Sequence, residues 1–312
     1  MSETTDQVDR FRGCLLGLAA GDAVGTTVEF ALRGSFNPVS DMVGGGPFGL
    51  RPGEWTDDTS MALCLAASLL ERGGFDARDQ MERYCRWWQD GYMSSTGRCF
   101  DIGNTVRGAL MRYQQTGDPF AGSLQPHTAG NASIMRLAPA AMYWSSTVDD
   151  AIKYCGESSR TTHGAAECID ACRYLGLVLW RALWGMSKEE ILADCGEGVV
   201  TARAIRALAA GSYRWKSVDE VRGSGYVVQS LEAALWCFWR SESFEESVLT
   251  AVNLGEDADT TGAICGQMAG AFYGESGIPR KWVERLVLAS EILAMADRLG
   301  ARSDPAVFVR FG

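Results

Sequence analysis

The chain has 312 residues, 46% of them hydrophobic and 22% charged, with a formal net charge of −10. That is an ordinary globular composition. It excludes a disordered chain, a collagen-like chain and a coiled-coil fibre, and at about 150 residues per domain it makes one large domain or two small ones. The excess of acid repels phosphate backbones, so nonspecific nucleic-acid binding is excluded, whereas a small anionic ligand can still be held by backbone N–H groups, helix N-termini or a bound cation.

The segment MSETTDQVDRFRG is polar and acidic, not a basic stretch followed by an apolar one. No run approaches the ~20 apolar residues of a membrane span, so the expectation is a cytoplasmic protein without signal peptide or membrane span. A 3.6-residue period dominates the chain. It predicts helices over 8–20, 60–72, 77–90, 105–115, 133–143, 148–156, 165–184, 188–195, 199–210, 226–240, 244–253, 260–273 and 280–298. In 165–184, Ile169, Cys172, Leu175, Leu179 and Leu183 share a face; in 226–240, Val227, Leu231, Leu235 and Phe238 do. Useful two-residue alternation is absent. The fold class is therefore all-α, about a dozen helices around one core in a single domain over 1–312. The irregular stretch 34–55, with GGGPFG and RPG inside it, is long enough to imply a functional loop, and the last ten residues carry no pattern. Ten scattered cysteines without a Cys-x-x-Cys pair read as free thiols in a reducing compartment, and two histidines supply no Cys/His zinc site.

Two oxygen-rich clusters carry the chemistry. Glu54-Trp55-Thr56-Asp57-Asp58-Thr59-Ser60 precedes an apolar helix. One acid or hydroxyl there would cap the helix; two adjacent carboxylates beside a hydroxyl exceed that need and begin a hard-cation site. Gly255-Glu256-Asp257-Ala258-Asp259-Thr260-Thr261-Gly262 precedes another helix, about 200 residues later. If the two face each other, Thr56, Asp57, Asp58, Asp257, Asp259 and Thr260 offer four carboxylates and two hydroxyls, a set that selects Mg²⁺, Mn²⁺ or Ca²⁺. It is enough for two ions. The following Gly262-x3-Gly266-x3-Gly270 is read as a small face for close helix packing. Gly103-Asn104 and Gly130-Asn131 open helices and suit anion contact, or simply cap. His163 stands at a helix start, either as a cap or as a ligand contact. Glu29 lies among apolar residues and is a candidate acid or base, or a surface acid. Tyr226 is either a core aromatic or a stacking platform.

Taken together, the run Gly13 to Gly25 (GCLLGLAAGDAVG), Trp55-Thr56-Asp57-Asp58-Thr59, Gly103-Asn104-Thr105, Gly130 to Arg136 (GNASIMR), Thr162-His163 and Asp257-Ala258-Asp259-Thr260-Thr261-Gly262 resembles the ADP-ribosylglycohydrolases. The motifs follow that family's order over about 11–275, and are most similar to the dinitrogenase-reductase-activating branch. The resemblance implies an all-α fold with two Mg²⁺ or Mn²⁺ ions in a cleft, and hydrolysis of the bond between ADP-ribose and a modified protein side chain. Arginine is the first choice of side chain. Serine-linked or O-acyl ADP-ribose and a non-catalytic ADP-ribose-binding relative are the alternatives. The implied metal ligands are Thr56, Asp57, Asp58, Asp257, Asp259 and Thr260; the implied catalytic residues are Glu29, Asp58 and Asp257. ADP-ribose contacts would fall at Gly103, Asn104, Gly130, Asn131, Ser133 and His163, with Tyr226 on adenine and Asp101 facing the guanidinium. The partner would be an ADP-ribosylated protein and the product ADP-ribose. Two departures stand out: Glu256 and Ala258 replace the family's common Gly and Thr beside the second cluster, and Ala132 replaces Gly in the phosphate turn.

Overall fold

A computed structural model describes residues 3–196 and 198–303. Helix α1 (Glu3–Gly25) is followed, after the long loop, by α2 (Asp57–Arg72), α3 (Ala77–Asp90) and α4 (Asn104–Thr116). Then come α5 (Ala132–Met135), α6 (Ala138–Tyr143), α7 (Val148–Arg160), α8 (Ala166–Leu183), α9 (Lys188–Ile191) and α10 (Arg203–Ala209). The chain continues through α11 (Val227–Arg240), α12 (Phe244–Val252), α13 (Ala258–Tyr273), α14 (Arg280–Val283) and α15 (Ala289–Ser303). Among the described residues there is no strand, only isolated bridges, so the all-α expectation holds. Gly73, Gly91 and Gly117 stop α2, α3 and α4 in the left-handed conformation that a side chain disfavours. Among the described residues, no helix is long and apolar enough to cross a membrane.

Several predicted boundaries are corrected. The helix expected over 8–20 runs from Glu3 to Gly25. The one expected over 133–143 is two, because Pro139 cannot continue a helix begun at Ala132: its ring lacks the N–H and crowds the carbonyl four residues back. The freed backbone groups are met by Gln267 of α13. Its Oε1 accepts from Ala138 N at 2.7 Å, and its Nε2 donates to Met135 O at 2.7 Å. The helix at 199–210 starts only at Arg203, because the Asp170 carboxylate captures the N–H groups of Thr201 (2.6 Å) and Ala202 (2.7 Å). The helix at 188–195 is a single turn with a Ser187–Glu190 capping box. The segment 280–298 breaks at Leu288 (φ 57°), just after Val287 N donates to Gly53 O at 3.0 Å. The final nine positions lie outside the described residues. All ten cysteines are free, and all but Cys99 and Cys195 are buried.

Glycine sets the central contact. Gly13, Gly17, Gly21 and Gly25 recur every four residues on α1 and so share one face. They run antiparallel along Gly270, Gly266, Gly262 and Ala258 of α13. A Cβ on Gly17 would stand 2.3 Å from Gly266 O, and one on Gly266 2.0 Å from Gly17 O; at Gly21 the clash with Gly262 O is 2.1 Å. The small face predicted on α13 is thus used, and its partner is the glycine run near the start of the chain. This contact lays the end of α1 beside the start of α13, which is where the site forms.

Gly266→Ala is expected to destabilise the fold by about 1–3 kcal/mol through backbone overpacking. Gly108→Ala, mid-helix in α4 with only the flexible tip of Arg112 nearby at 3.3 Å, is expected to be neutral or to stabilise by up to about 1 kcal/mol. Denaturant unfolding of both variants checks the contrast. Equal midpoints would refute the packing role of the seam.

Candidate active site

Four helix starts meet at one cavity of about 400 Å³, whose lining includes Asp57 of α2, Asn104 of α4, Asn131 and Ala132 at α5, and Asp257 at α13. Glu29, Asp101 and His163 complete it from the connecting loops. Carboxylates at helix N-termini gain from the dipole, which is one reason that acids are tolerated in so buried a place.

The turn that opens α2 is held from outside the motif. Thr56 caps α2 without using its own side chain in the local way. Instead Asp22, fully buried on α1, accepts from Thr56 N (2.9 Å) and Oγ1 (2.9 Å), and from Thr59 N (3.0 Å) and Oγ1 (2.6 Å). Asp22 therefore orients the turn that presents Asp57 and Asp58. The sequence reading assigned it no role, although a lone acid inside an otherwise apolar helical face was the available signal.

The two acidic clusters converge. Thr56 Oγ1 lies 3.2 Å from Asp259 Oδ2 and 3.3 Å from Asp58 Oδ2, and Thr260 Oγ1 lies 3.4 Å from the same Asp58 oxygen. Asn131 Nδ2 donates to Asp257 Oδ2 at 2.6 Å. One oxygen each of Glu29, Asp101 and Asp259 lie within 4.8 Å of one another. The chemistry of this donor set fits a divalent cation. The Thr56 hydroxyl has one proton and faces oxygens of three carboxylates. Glu29 Oε2, Asp58 Oδ1 and Asp259 Oδ1 are buried and accept no hydrogen bond, an arrangement that costs stability unless a positive charge answers it. The residues placed together exceed the expected ligand set. Glu29 and Asp101, read as proton carrier and guanidinium contact, stand among the ligand-capable oxygens.

Burial and mutual repulsion push these carboxyls up. Asp57, Asp58 and Asp259 lie well above the usual range, chiefly through desolvation and then through the neighbouring acids. For the same reasons Glu29 is pushed up to about 10 and Asp101 to about 7. The backbone is strained around them as well: Phe30 (φ 63°), Asp101 (φ 56°) and Glu256 (φ 60°) occupy the left-handed region without being glycine. At Glu256 a glycine would adopt this conformation without steric cost. Here the conformation is held by Phe30 N donating to Glu256 O (2.6 Å), Glu256 N donating to Ala31 O (2.7 Å) and a two-pronged Arg222 ion pair at 2.9 Å.

Of the expected ligand contacts, Gly103, Asn104, Gly130, Asn131 and His163 line the cavity. The Ser133 side chain does not: it is buried and faces the Cys172 thiol. The N–H groups of Gly130 and Asn131 are already committed, to Thr128 O (2.8 Å) and Gly225 O (3.2 Å). Tyr226 borders an adjoining cavity of about 730 Å³ that shares Thr105, Gly130 and Gly225 with the first, and its hydroxyl donates to Glu167 at 2.7 Å. Ile102 and Gly225 are lining residues that carried no sequence signal beyond adjacency to the motifs, and Thr105, inside the Gly103-Asn104-Thr105 motif, lines the cavity without having been given a role.

The ADP-ribosylglycohydrolase family profile matches residues 3–306. The chain belongs to that family. An ADP-ribosylarginine hydrolase, Tri1, from Serratia proteamaculans (strain 568) is 44% identical over 297 residues, covering 95% of this chain and 80% of that protein. The ADP-ribosyl-dinitrogen reductase glycohydrolase of Rhodospirillum rubrum is 33% identical, covering 91% and 92%. A solved ADP-ribosylglycohydrolase-related protein complex is similar with a TM-score of 0.86 at 44% identity, covering 96% and 99%.

The raised carboxyls fix a sign for this glycohydrolase. Without a cation the folded state favours the protonated acids, so their contribution to stability is greatest at low pH and is lost as pH rises through the raised values. Mn²⁺ or Mg²⁺ is expected to raise the thermal midpoint more at pH 8 than at pH 6. Unfolding scans with cation and with chelator at both pH values test this; four equal midpoints would contradict it.

Proposed function

We propose that this glycohydrolase cleaves the N-glycosidic bond between ADP-ribose and the arginine side chain of a modified protein, reversing mono-ADP-ribosylation. The observation that carries the reading is the convergence of Asp57, Asp257, Glu29 and Asp101 on the cavity that the Gly103-Asn104 and Gly130-Asn131 turns also line. The names of the relatives from Serratia and Rhodospirillum support the substrate class. Thr56, Asp57, Asp58, Asp257, Asp259 and Thr260 would hold two Mg²⁺ or Mn²⁺ ions. Bound there, such cations orient sugar hydroxyls and water and offset developing negative charge.

The chain's own groups do the rest. The pyrophosphate meets N–H groups still without partners among the described residues, those of Ala132 and Ser133 and of Asn104 to Val106. Ser133 thus contributes through its backbone rather than its hydroxyl. Tyr226, half-exposed and pinned by Glu167, offers its ring to the adenine. Asp101 accepts hydrogen bonds from the guanidinium, where opposite charge strengthens them. As the water oxygen bonds C1 and the C1–N bond breaks, the bonding pair stays on the guanidine nitrogen, and Glu29 relays the proton released by the water to that nitrogen, so that arginine leaves as the guanidinium. An ADP-ribosylated protein is then the partner and free ADP-ribose the product, and a cytoplasmic address suits the ten free thiols.

Asp57→Ala and Asp259→Ala are each expected to cut release of ADP-ribose from ADP-ribosyl-arginine by about 100-fold or more while circular dichroism is unchanged. Arginine-, serine- and acyl-linked ADP-ribose assayed side by side with Mg²⁺ or Mn²⁺ decide the linkage. Full activity in either variant refutes the cation role. ADP-ribose binding by calorimetry without cleavage of any linkage establishes a non-catalytic binder instead.

A further inference from the structure

Arg136 is a buried cation without a buried anion. It is 1% exposed, and no carboxylate pairs with it among the described residues. Its Nη1 donates to Ala132 O at 2.9 Å, its guanidinium carbon lies 4.8 Å over the Tyr84 ring, and its Nη2 donates to Thr162 Oγ1 at 2.7 Å. A guanidinium only donates and stays charged. The Thr162 oxygen is therefore an acceptor toward Arg136. Among the described residues its one other side-chain partner is His163 Nδ1, at 2.9 Å, and Thr162 is fully buried.

The hydroxyl has one proton to place. If Nδ1 carried a proton, two donors would point at Oγ1, and the hydroxyl proton would be buried without an acceptor, at a cost of about 1–3 kcal/mol. If the hydroxyl donates to Nδ1, every group is satisfied, and a neutral ring then carries its proton on Nε2. That nitrogen makes no hydrogen bond within the described protein. It sits beside Gly130, where an added Cβ would stand 3.3 Å away, and the residue lines the cavity. The backbone of His163 is fixed on both sides: its N donates to Ser159 O at 2.7 Å, and its O accepts from Ser159 Oγ at 2.8 Å.

We infer that Arg136 and Thr162 are positioning residues that lock His163 as the neutral Nε2–H tautomer, a fixed hydrogen-bond donor to an oxygen of the ligand bound beside Gly130. The ligand half of this inference rests on the proposed ADP-ribose reading; the tautomer half does not. Burial and the charge of Arg136 both hold the ring's pKa down, to about 3, so the ring stays neutral at physiological pH. A second proton on Nδ1 would collide with the donor arrangement that Arg136 imposes on Thr162.

The chain has two histidines, His127 and His163, so long-range proton–nitrogen spectra of ¹⁵N-histidine protein report each ring directly. In the ligand-free wild type His163 is expected to show a protonated Nε2 and a bare Nδ1. Thr162→Ser is expected to keep that pattern. Thr162→Val and Arg136→Met are each expected to lose it in favour of mixed tautomers, and Thr162→Val to weaken ADP-ribose binding by about 10-fold. A wild-type ring with Nδ1 protonated overturns the lock without recourse to any variant. So does an unchanged pattern in both Thr162→Val and Arg136→Met. If the pattern changes in Thr162→Val but ADP-ribose binds as before, the lock stands and the ligand assignment falls. Failure of the hydrolysis assay would leave the ring spectrum untouched, which keeps the two readings apart.

Discussion

The backbone-to-backbone seam between α1 and α13 sets the distance between two stretches of chain more than 200 residues apart. Because carbonyl oxygens occupy the places where side chains would be, the helix axes lie as close as main chains permit. At one end of the seam Asp22 reaches the turn before α2 and the Glu29 loop docks on Glu256; at the same end α13 begins with Asp257 and Asp259. Widening the seam by the thickness of a methyl group would separate carboxylates that now share hydroxyl neighbours at 3.2–3.4 Å. The site's geometry is thus inherited from a packing contact that contains no functional group.

That geometry is held against its own electrostatics. Several acids are gathered where water is scarce, with buried oxygens that accept nothing and three left-handed residues in the loops beside them. An interior selected for stability alone would carry none of this. The opposing forces are local and identifiable: four helix starts, the Asn131 amide on Asp257, and the four hydrogen bonds that Asp22 accepts. The cluster is poised rather than relaxed, as sites that must capture charge generally are.

Much of this was legible in the residues. Period gave the helices, and clustered oxygen donors at two helix starts pointed to the acidic cluster that the fold assembles, because both signals are local. What the pattern could not show was pairing across the chain. Gln267 repairs the break at Pro139, Asp170 delays the start of α10, Asp22 orients the α2 turn, and Gly17 meets Gly266. Each of these partners lies far away in sequence, and nothing about a single Gln or Asp announces its target. Whether Ser133 presents its hydroxyl or its backbone to the cavity is hidden in the sequence for a related reason. A helix of four residues turns its second side chain inward while leaving its first N–H groups free, and motif matching sees only the residue.

The isolated bridge between Gly130 and Tyr226 also has a mechanical consequence. Asn131 N donates to Gly225 O at 3.2 Å, and Val227 N donates to Ala129 O at 3.0 Å, so the turn beside the acids is moored to the aromatic shelf by main-chain hydrogen bonds that do not involve the Tyr226 side chain. Side-chain substitutions at position 226 can therefore reshape the shelf without shifting the turn, so the aromatic face and the acid cluster are mechanically separable.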